Sequence, residues 1–232
     1  GLAGDALTTG SGNVALGTEA LSAEDAHGKN TAIGHQALLV QNAGADAHNV
    51  AVGYQAGKAV STGFDNVLLG GLAGDALTTG SYNIAIGKSA LGTEDGNGKN
   101  IAIGYEALAV LNAGTDGFNV AIGQEAGHDL TTGVQNTLVG GLAGDAMTVG
   151  QNNVAIGVTA LSSDVGGSRT VAIGRGALEN QNMGSSDTNS HNVAVGYGAG
   201  ASVTTGTVNT LIGATAGDSL TSGNSNVAIG YQ

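Results

Sequence analysis

The chain contains no cysteine, no proline and no tryptophan, and only 2 of its 232 residues are Phe. Without cysteine there is neither a disulfide scaffold nor a cysteine-based zinc site. Without proline, the 43 glycines do not describe collagen, which needs Gly at every third position beside abundant Pro. Charge is also scarce, at 10% of residues against a usual ~25%. Positive charge is scarcest: 6 Lys+Arg stand against 18 Asp+Glu, a formal net charge of −12. A surface of that sign repels phosphate backbones and anionic membranes, so nucleic acid is not an expected partner. No apolar run reaches the ~18 residues of a membrane span, and membrane insertion of this segment is not expected. What is plentiful is apolar sequence. At 41% hydrophobic, the chain is too apolar for a solvated coil, and its glycines suit a backbone that turns sharply many times.

An internal repeat accounts for both features. GLAGDALTTG at residues 1–10 recurs unchanged at 71–80, then as GLAGDAMTVG at 141–150 and ATAGDSLTSG at 214–223. Large units therefore run over 1–70, 71–140 and 141–213, with a partial copy at 214–232 and an insertion near 185–190. They are expected to form one continuous repeat domain. Both ends fall in mid-pattern, so a piece of a longer protein is expected.

A finer unit lies inside. A Gly closes a short apolar run at Gly17, Gly34, Gly53, Gly70, Gly87, Gly104, Gly123, Gly140, Gly157, Gly174, Gly196, Gly213 and Gly230. Neighbours in that series are mostly 17 residues apart, with two spacings of 19 and one of 22. Four residues before the Gly stands an asparagine: Asn13, Asn30, Asn49, Asn66, Asn83, Asn100, Asn119, Asn136, Asn153, Asn192, Asn209 and Asn226, with Thr170 the one exception. Between them come Val, Ile or Thr, then Ala (Leu at Leu68, Leu138 and Leu211), then Leu, Ile or Val. Ala recurs three residues after the Gly, and the next residue cycles as Leu, Leu, Gly, Gly.

The N-V-A-I-G segment has period two and β-branched residues, so it reads as a short strand ending at a glycine corner. The Ala-Leu or Ala-Gly pair reads as a second strand. An apolar plug follows at Leu7, Val60, Leu77, Leu130, Met147, Val203 and Leu220. The expected fold is all-β: a parallel β-roll or β-solenoid of about thirteen two-strand coils, each ~17 residues long. At a rise of about 4.8 Å per coil it would be a rod of roughly 60 Å, with the asparagines superposed as a hydrogen-bonded ladder. The invariant small Ala face suggests close approach of neighbouring chains in a parallel homo-oligomer.

The N-V-A-I-G-x-x-A pattern resembles the head repeats of YadA-like trimeric autotransporter adhesins. It is also similar to the longer N-T-A-I-G-Y-Q-A-G/L…T-T-G repeats of phage tail-fibre and bacterial surface proteins. Asn49-Val50-Ala51-Val52-Gly53-Tyr54-Gln55-Ala56-Gly57 and Asn226-Val227-Ala228-Ile229-Gly230-Tyr231-Gln232 carry the likeness most fully. The resemblance implies a left-handed β-roll assembled as a trimer. The adhesin repeats are shorter, so longer projecting loops are expected here.

Motifs that suggest chemistry fall on repeat columns. Gly87-Lys88-Ser89 has the end of a phosphate-binding loop, but Tyr82 occupies the position of its first Gly. Gly196-Tyr197-Gly198-Ala199-Gly200 copies part of a dinucleotide fingerprint with no helix expected after it. Acids gather in loops, at Glu24-Asp25, Glu94-Asp95 and Asp164, and again at Asp46, Asp116 and Asp187. They read as a solvated rim with Ca²⁺ binding as the sharper alternative, although the G-G-x-G-x-D calcium repeat is absent. No histidine pair among His27, His35, His48, His128 and His191 has zincin spacing. No catalytic residue, cofactor site or metal site is assigned, and no enzyme is expected. The expected function is an extracellular, cell-surface or virion-surface fibre, possessing repeated loops for attachment and pairing with itself, end to end as well in a filament. A cell-surface glycan or protein receptor would meet the loops at residues 39–48, 110–118 and 179–191 and the outward Tyr54, Tyr105 and Tyr197. A glycan-recognising or glycan-cleaving tailspike segment and a metal- or ice-binding roll are the alternatives.

Overall fold

The computed structural model describes all 232 residues, which form two compact units, Gly1–Gly117 and Phe118–Gln232. Neither contains a helix. The first holds six three-residue strands: β1 (Val14–Leu16), β2 (Thr31–Ile33), β3 (Val50–Val52), β4 (Val67–Leu69), β5 (Ile84–Ile86) and β6 (Ile101–Ile103). Each pairs with the next in parallel and in full register, so Val50 lies beside Val67, Ala51 beside Leu68 and Val52 beside Leu69.

The second unit repeats the pattern with β7 (Val120–Ile122), β8 (Thr137–Val139), β9 (Val154–Ile156), β11 (Val171–Ile173), β13 (Val193–Val195), β14 (Thr210–Ile212) and β15 (Val227–Ile229). These too pair in sequence and in parallel. Two further strands, β10 (Gly167–Ser168) and β12 (Thr188–Asn189), form a small parallel ladder of their own. Each unit is thus a parallel β-solenoid with one strand per coil, thirteen coils in all.

Two expectations need correction. The Ala-Leu or Ala-Gly pair is not a second strand but a run of turns. Its backbone alternates into the left-handed region two and four residues after the corner glycine, as at Gln36 (φ 57°) and Leu38 (φ 49°). That alternation curls the chain back while Gln36 N–H still reaches the preceding coil at Thr18 O, 2.8 Å, and Leu38 N–H the following coil at Ala56 O, 3.1 Å. An Ala-Leu pair carries no signal for positive φ, so the sequence pattern does not reveal it.

The second correction concerns facing. Period two assigns the strand residues to two faces, and the sequence suggests the small Ala face as the one where chains approach. In the structure the central Ala or Leu points inward: Ala32, Ala51, Leu68, Ala85, Ala102, Ala121, Leu138, Ala155, Ala172 and Ala194 are fully buried. The flanking Val, Ile, Leu and Thr point outward and are half-buried or exposed. A coil of 17 residues encloses too little room for two branched side chains per strand, so only the middle residue goes inside, Ala in most coils and Leu at Leu68, Leu138 and Leu211.

Size complementarity also explains the four-coil superperiod. Where the residue after the second Ala is Gly instead of Leu, Leu68 fills the space. A Cβ placed on Gly57 would stand 2.6 Å from Leu68 Cδ1, and one on Gly74 2.8 Å from Leu68 Cδ2. Leu211 serves Gly200 and Gly217 in the same way, at 2.6 and 2.8 Å.

The corner glycine is required twice over. Gly70 has φ 135°, a region that side chains avoid. A Cβ there would also lie 2.6 Å from the carbonyl oxygen of Gly87 in the next coil. The same column spans φ 127° to 145° at all thirteen corners.

Candidate functional site

Within each unit the asparagine column ties coil to coil. Asn66 Oδ1 accepts the backbone N–H of Asn83 at 2.9 Å, and its Nδ2 donates to Gly80 O at 2.9 Å and to Asn49 Oδ1 at 3.1 Å. The side-chain-to-backbone link recurs through Asn13, Asn30, Asn49, Asn83, Asn136, Asn153, Asn192 and Asn209. Amide-to-amide contacts accompany it at Asn66, Asn136 and Asn226. Asn119 Oδ1 likewise accepts from Asn136 N at 3.0 Å, and Asn100 N–H donates to Asn83 Oδ1 at 3.1 Å. A buried amide with both ends engaged fixes register, and so the column is structural chemistry.

Thr170, the exception, accounts for the insertion. Its N–H donates to Asn153 Oδ1 at 2.9 Å as an asparagine's would, but it has no side-chain amide to continue the column. Ser190, brought in by the inserted residues, fills the gap: its hydroxyl lies 2.5 Å from Thr170 Oγ1 and accepts Asn192 N–H at 3.4 Å.

Two surfaces and one interior column are candidates for function. The first surface is the outward strand face, a stripe of two branched side chains per coil that are aliphatic except at Thr31, Thr137 and Thr210. In interior coils its exposure includes Val52 at 36%, Ile122 at 38%, Ile156 at 37% and Ile212 at 39%.

The second is the column directly after the corner glycine, where the sequence-designated Tyr54, Tyr105 and Tyr197 are all exposed. Each sits against the residue of the same column one coil before it. His35 stacks on Tyr54 at 5.5 Å between ring centroids. Lys88 lies over Tyr105 and Arg175 over Tyr197, both at 5.8 Å, and Arg175 also donates to Tyr197 Oη at 3.2 Å. Cation–π and stacked pairs of this kind hold an aromatic plane upright at a surface. Lys88 is the lysine of the phosphate-loop-like triplet, and Gly87 is its corner; no helix follows. Gly196-Tyr197-Gly198-Ala199-Gly200 is likewise a corner and its turns. Nothing in the sequence pattern singles out the exposed edge-to-face pair Phe64 and Tyr82, 5.1 Å apart.

The loop at residues 39–48 holds a shallow cleft of about 350 Å³ lined by Ala43, Ala45, Asp46, Thr62 and Phe64. Asp46 is tied to Lys29 at 2.8 Å, and Asp116 to Lys99 at 2.5 Å. Each lysine, by hydrogen bonding, holds its partner's carboxyl below the ordinary value near 3.8.

The interior column overturns the expected acidic rim. Glu24, Glu94 and Asp164 are fully buried. They stand seven residues after the corners Gly17, Gly87 and Gly157, the place that Val60, Leu77 and Met147 fill as apolar plugs. Burial raises the pKa of Glu24 and Glu94 above the ordinary value near 4.5. Gln41 and Gln181 occupy the column in the following coils. That shared offset was legible in the sequence, but the local E-D-x-x-G composition looks like any solvated loop. Only Asp25, Asp95, Asp46, Asp116 and Asp187 answer to a surface description.

Set against family models, curated proteins and solved structures, the chain matches none.

Proposed function

We propose that this chain is a shaft segment of an extracellular structural and adhesive fibre, built from three parallel copies packed through their outward strand faces. The reading takes the chain as a member of the YadA-like head and tail-fibre repeat class, left-handed and trimeric. One observation carries it: every coil turns the first and third side chains of its strand outward while enclosing the middle Ala or Leu. Contiguous apolar stripes of this extent mark interaction surfaces. A second copy of the same repeat offers matching rows at the same spacing. Burying the exposed part of two aliphatic side chains per coil contributes about 1–2 kcal/mol per coil and copy, a gain that grows with the number of coils.

A receptor, glycan or protein, would then meet the loop at residues 39–48 and the upright Tyr54 and Tyr197, each repeated around the assembly. Threefold repetition turns weak contacts into avidity. The acidic surface agrees with a place outside the cell or on a virion, where solubility matters and anionic partners are not sought.

Sedimentation equilibrium tests the assembly. The chain should run at three times its 22.3 kDa mass, and Ile86→Lys with Ile156→Lys should return it to one chain. A single-chain mass for the unaltered protein would rule out the fibre reading.

A further inference from the structure

We propose that the first large repeat holds a divalent transition metal through Glu24, His27 and Asp25. A Zn²⁺-class ion fits this mixed nitrogen and oxygen set better than Ca²⁺, which takes oxygen ligands alone. The site lies in the interior column rather than on the proposed interface, so it stands apart from the fibre reading.

The three side chains each offer a ligand atom, all within 4.8 Å of one another. Proximity alone would mean little. The telling observation is that Glu24 is fully buried and its Oε2 has no hydrogen-bond partner. His27 Nδ1, also buried, lacks a hydrogen-bond partner and lies 3.9 Å from Glu24 Oε1. A buried carboxylate oxygen without a donor costs about 1–3 kcal/mol or more, so a cation bridging it to the imidazole removes a penalty. Two ligands on tetrahedral zinc are about 3.3 Å apart. Rotation of the half-exposed His27 ring closes the remaining gap.

The backbone here is already fixed. Asp25 O accepts Thr8 N–H at 2.7 Å and Thr8 Oγ1–H at 2.9 Å, while His27 O accepts Asn13 Nδ2–H at 3.0 Å. His27 N–H donates to Glu24 Oε1 at 3.2 Å. Donor atoms held by the coil stack need little ordering on binding.

The other two copies serve as internal controls, because each meets its buried acid differently. In the second, Glu94 Oε2 is orphaned like Glu24 Oε2, but Asn97 stands where His27 would be, its Nδ2 donating to Glu94 Oε1 at 3.1 Å, so that copy lacks the imidazole ligand. In the third, Asp164 is satisfied by Gln181 Nε2 at 2.5 Å and by the N–H groups of Gly167 and Met183 at 3.0 Å. In the third copy both carboxylate oxygens are thus taken by donors, which leaves no oxygen for a cation. Only the first copy replaces the donor with an imidazole.

The test is equilibrium dialysis of chelator-stripped protein against Zn²⁺ at neutral pH, with metal counted per chain. One bound Zn²⁺ is expected, lost by more than about tenfold in affinity in His27→Asn, since even outer-shell changes cost that much. Asn is the residue of the second copy, so this variant should fold, as circular dichroism would confirm. Asn97→His should raise the count to two. The Co²⁺ form should show the intense visible bands of a tetrahedral site, absent in His27→Asn. No uptake, uptake indifferent to His27→Asn, or Asn97→His leaving the count at one would each overturn the assignment.

Discussion

Leu68 and Gly57 should behave as one packing unit, although they belong to different coils. Leu68 is fully buried and sends its two methyl ends toward Gly57 and Gly74. Leu68→Ala leaves a void that neither glycine can fill by rearranging a side chain. The loss should sit in the upper part of the usual range, about 3–5 kcal/mol. Gly57→Leu alone fails for the opposite reason. Its Cβ would meet Leu68 Cδ1 at 2.6 Å and Leu38 Cδ2 at 3.0 Å. Overpacking costs about 1–3 kcal/mol, and a side chain at the left-handed φ of 59° adds about 1–2 kcal/mol. That conformation is nonetheless native to the column, where Leu21 and Leu38 adopt φ 51° and 49°.

Together the two substitutions recreate the Ala-plus-Leu arrangement of the other coils. The double variant should therefore lose about 2 kcal/mol rather than the sum, a favourable coupling of at least about 2 kcal/mol. Stacked repeats do not always unfold as one step, so a local probe is needed. Hydrogen exchange at Gly57 N–H, bonded to Ala73 O at 2.9 Å, and at Gly74 N–H, bonded to Ala90 O at 3.0 Å, reads the opening of these coils. Additive losses in the double variant would refute the packing argument.

Other outcomes follow from the same geometry. Gly70→Ala forces a Cβ into a forbidden φ and against the next coil's carbonyl, and should cost at least about 3 kcal/mol, seen as a large fall in thermal midpoint. Asn66→Ala strands the N–H of Asn83 and the carbonyl of Gly80, and should cost about 2–4 kcal/mol with exchange quickened at Asn83. Glu94 gives a pH effect of defined sign. Its pKa is raised on folding, so the folded state binds more protons in the window above about 4.5, and stability rises as pH falls through that window. Glu94→Gln, an amide like Gln181 in the same column, should therefore stabilise the protein at neutral pH, with the difference shrinking near pH 4 in melts across that range. Tyr54→Ala and Tyr197→Ala should leave the melt within about 0.5 kcal/mol, as exposed sites do, while weakening retention on receptor-bearing cells.

Much of this architecture was legible because a solenoid writes each structural need once per coil. The glycine corners, the strand length, the register and the asparagine column all follow from residues recurring at fixed offsets. What the pattern concealed was direction and environment. Ala32 and Ala51 alternate with larger neighbours whichever side faces inward, and only the narrow bore of the coil decides. Leu38 looks like a strand residue because no side chain announces a positive φ at a non-glycine position. Glu24 looked solvated because its neighbours Asp25 and Ala26 suggest a loop, whereas its offset from Gly17 equals that of Val60 from Gly53. Column alignment, carried into the loops, would have placed it in the interior. The outward tyrosines were found by their place after the corner, but their supports, His35, Lys88 and Arg175, come from neighbouring coils and needed the stacking.

The outward strand face is where the structural and functional claims meet, and the absence of native cysteine makes it directly testable. Ile86→Cys places one thiol on that face, and Tyr54→Cys places one on the glycine-corner column. Mild oxidation followed by a denaturing gel should give disulfide-linked dimers for Ile86→Cys, since paired faces bring equivalent Cα atoms within about 7 Å, and none for Tyr54→Cys. An Ile86→Cys chain that stays single and reacts freely with a thiol reagent would contradict packing of copies through this face.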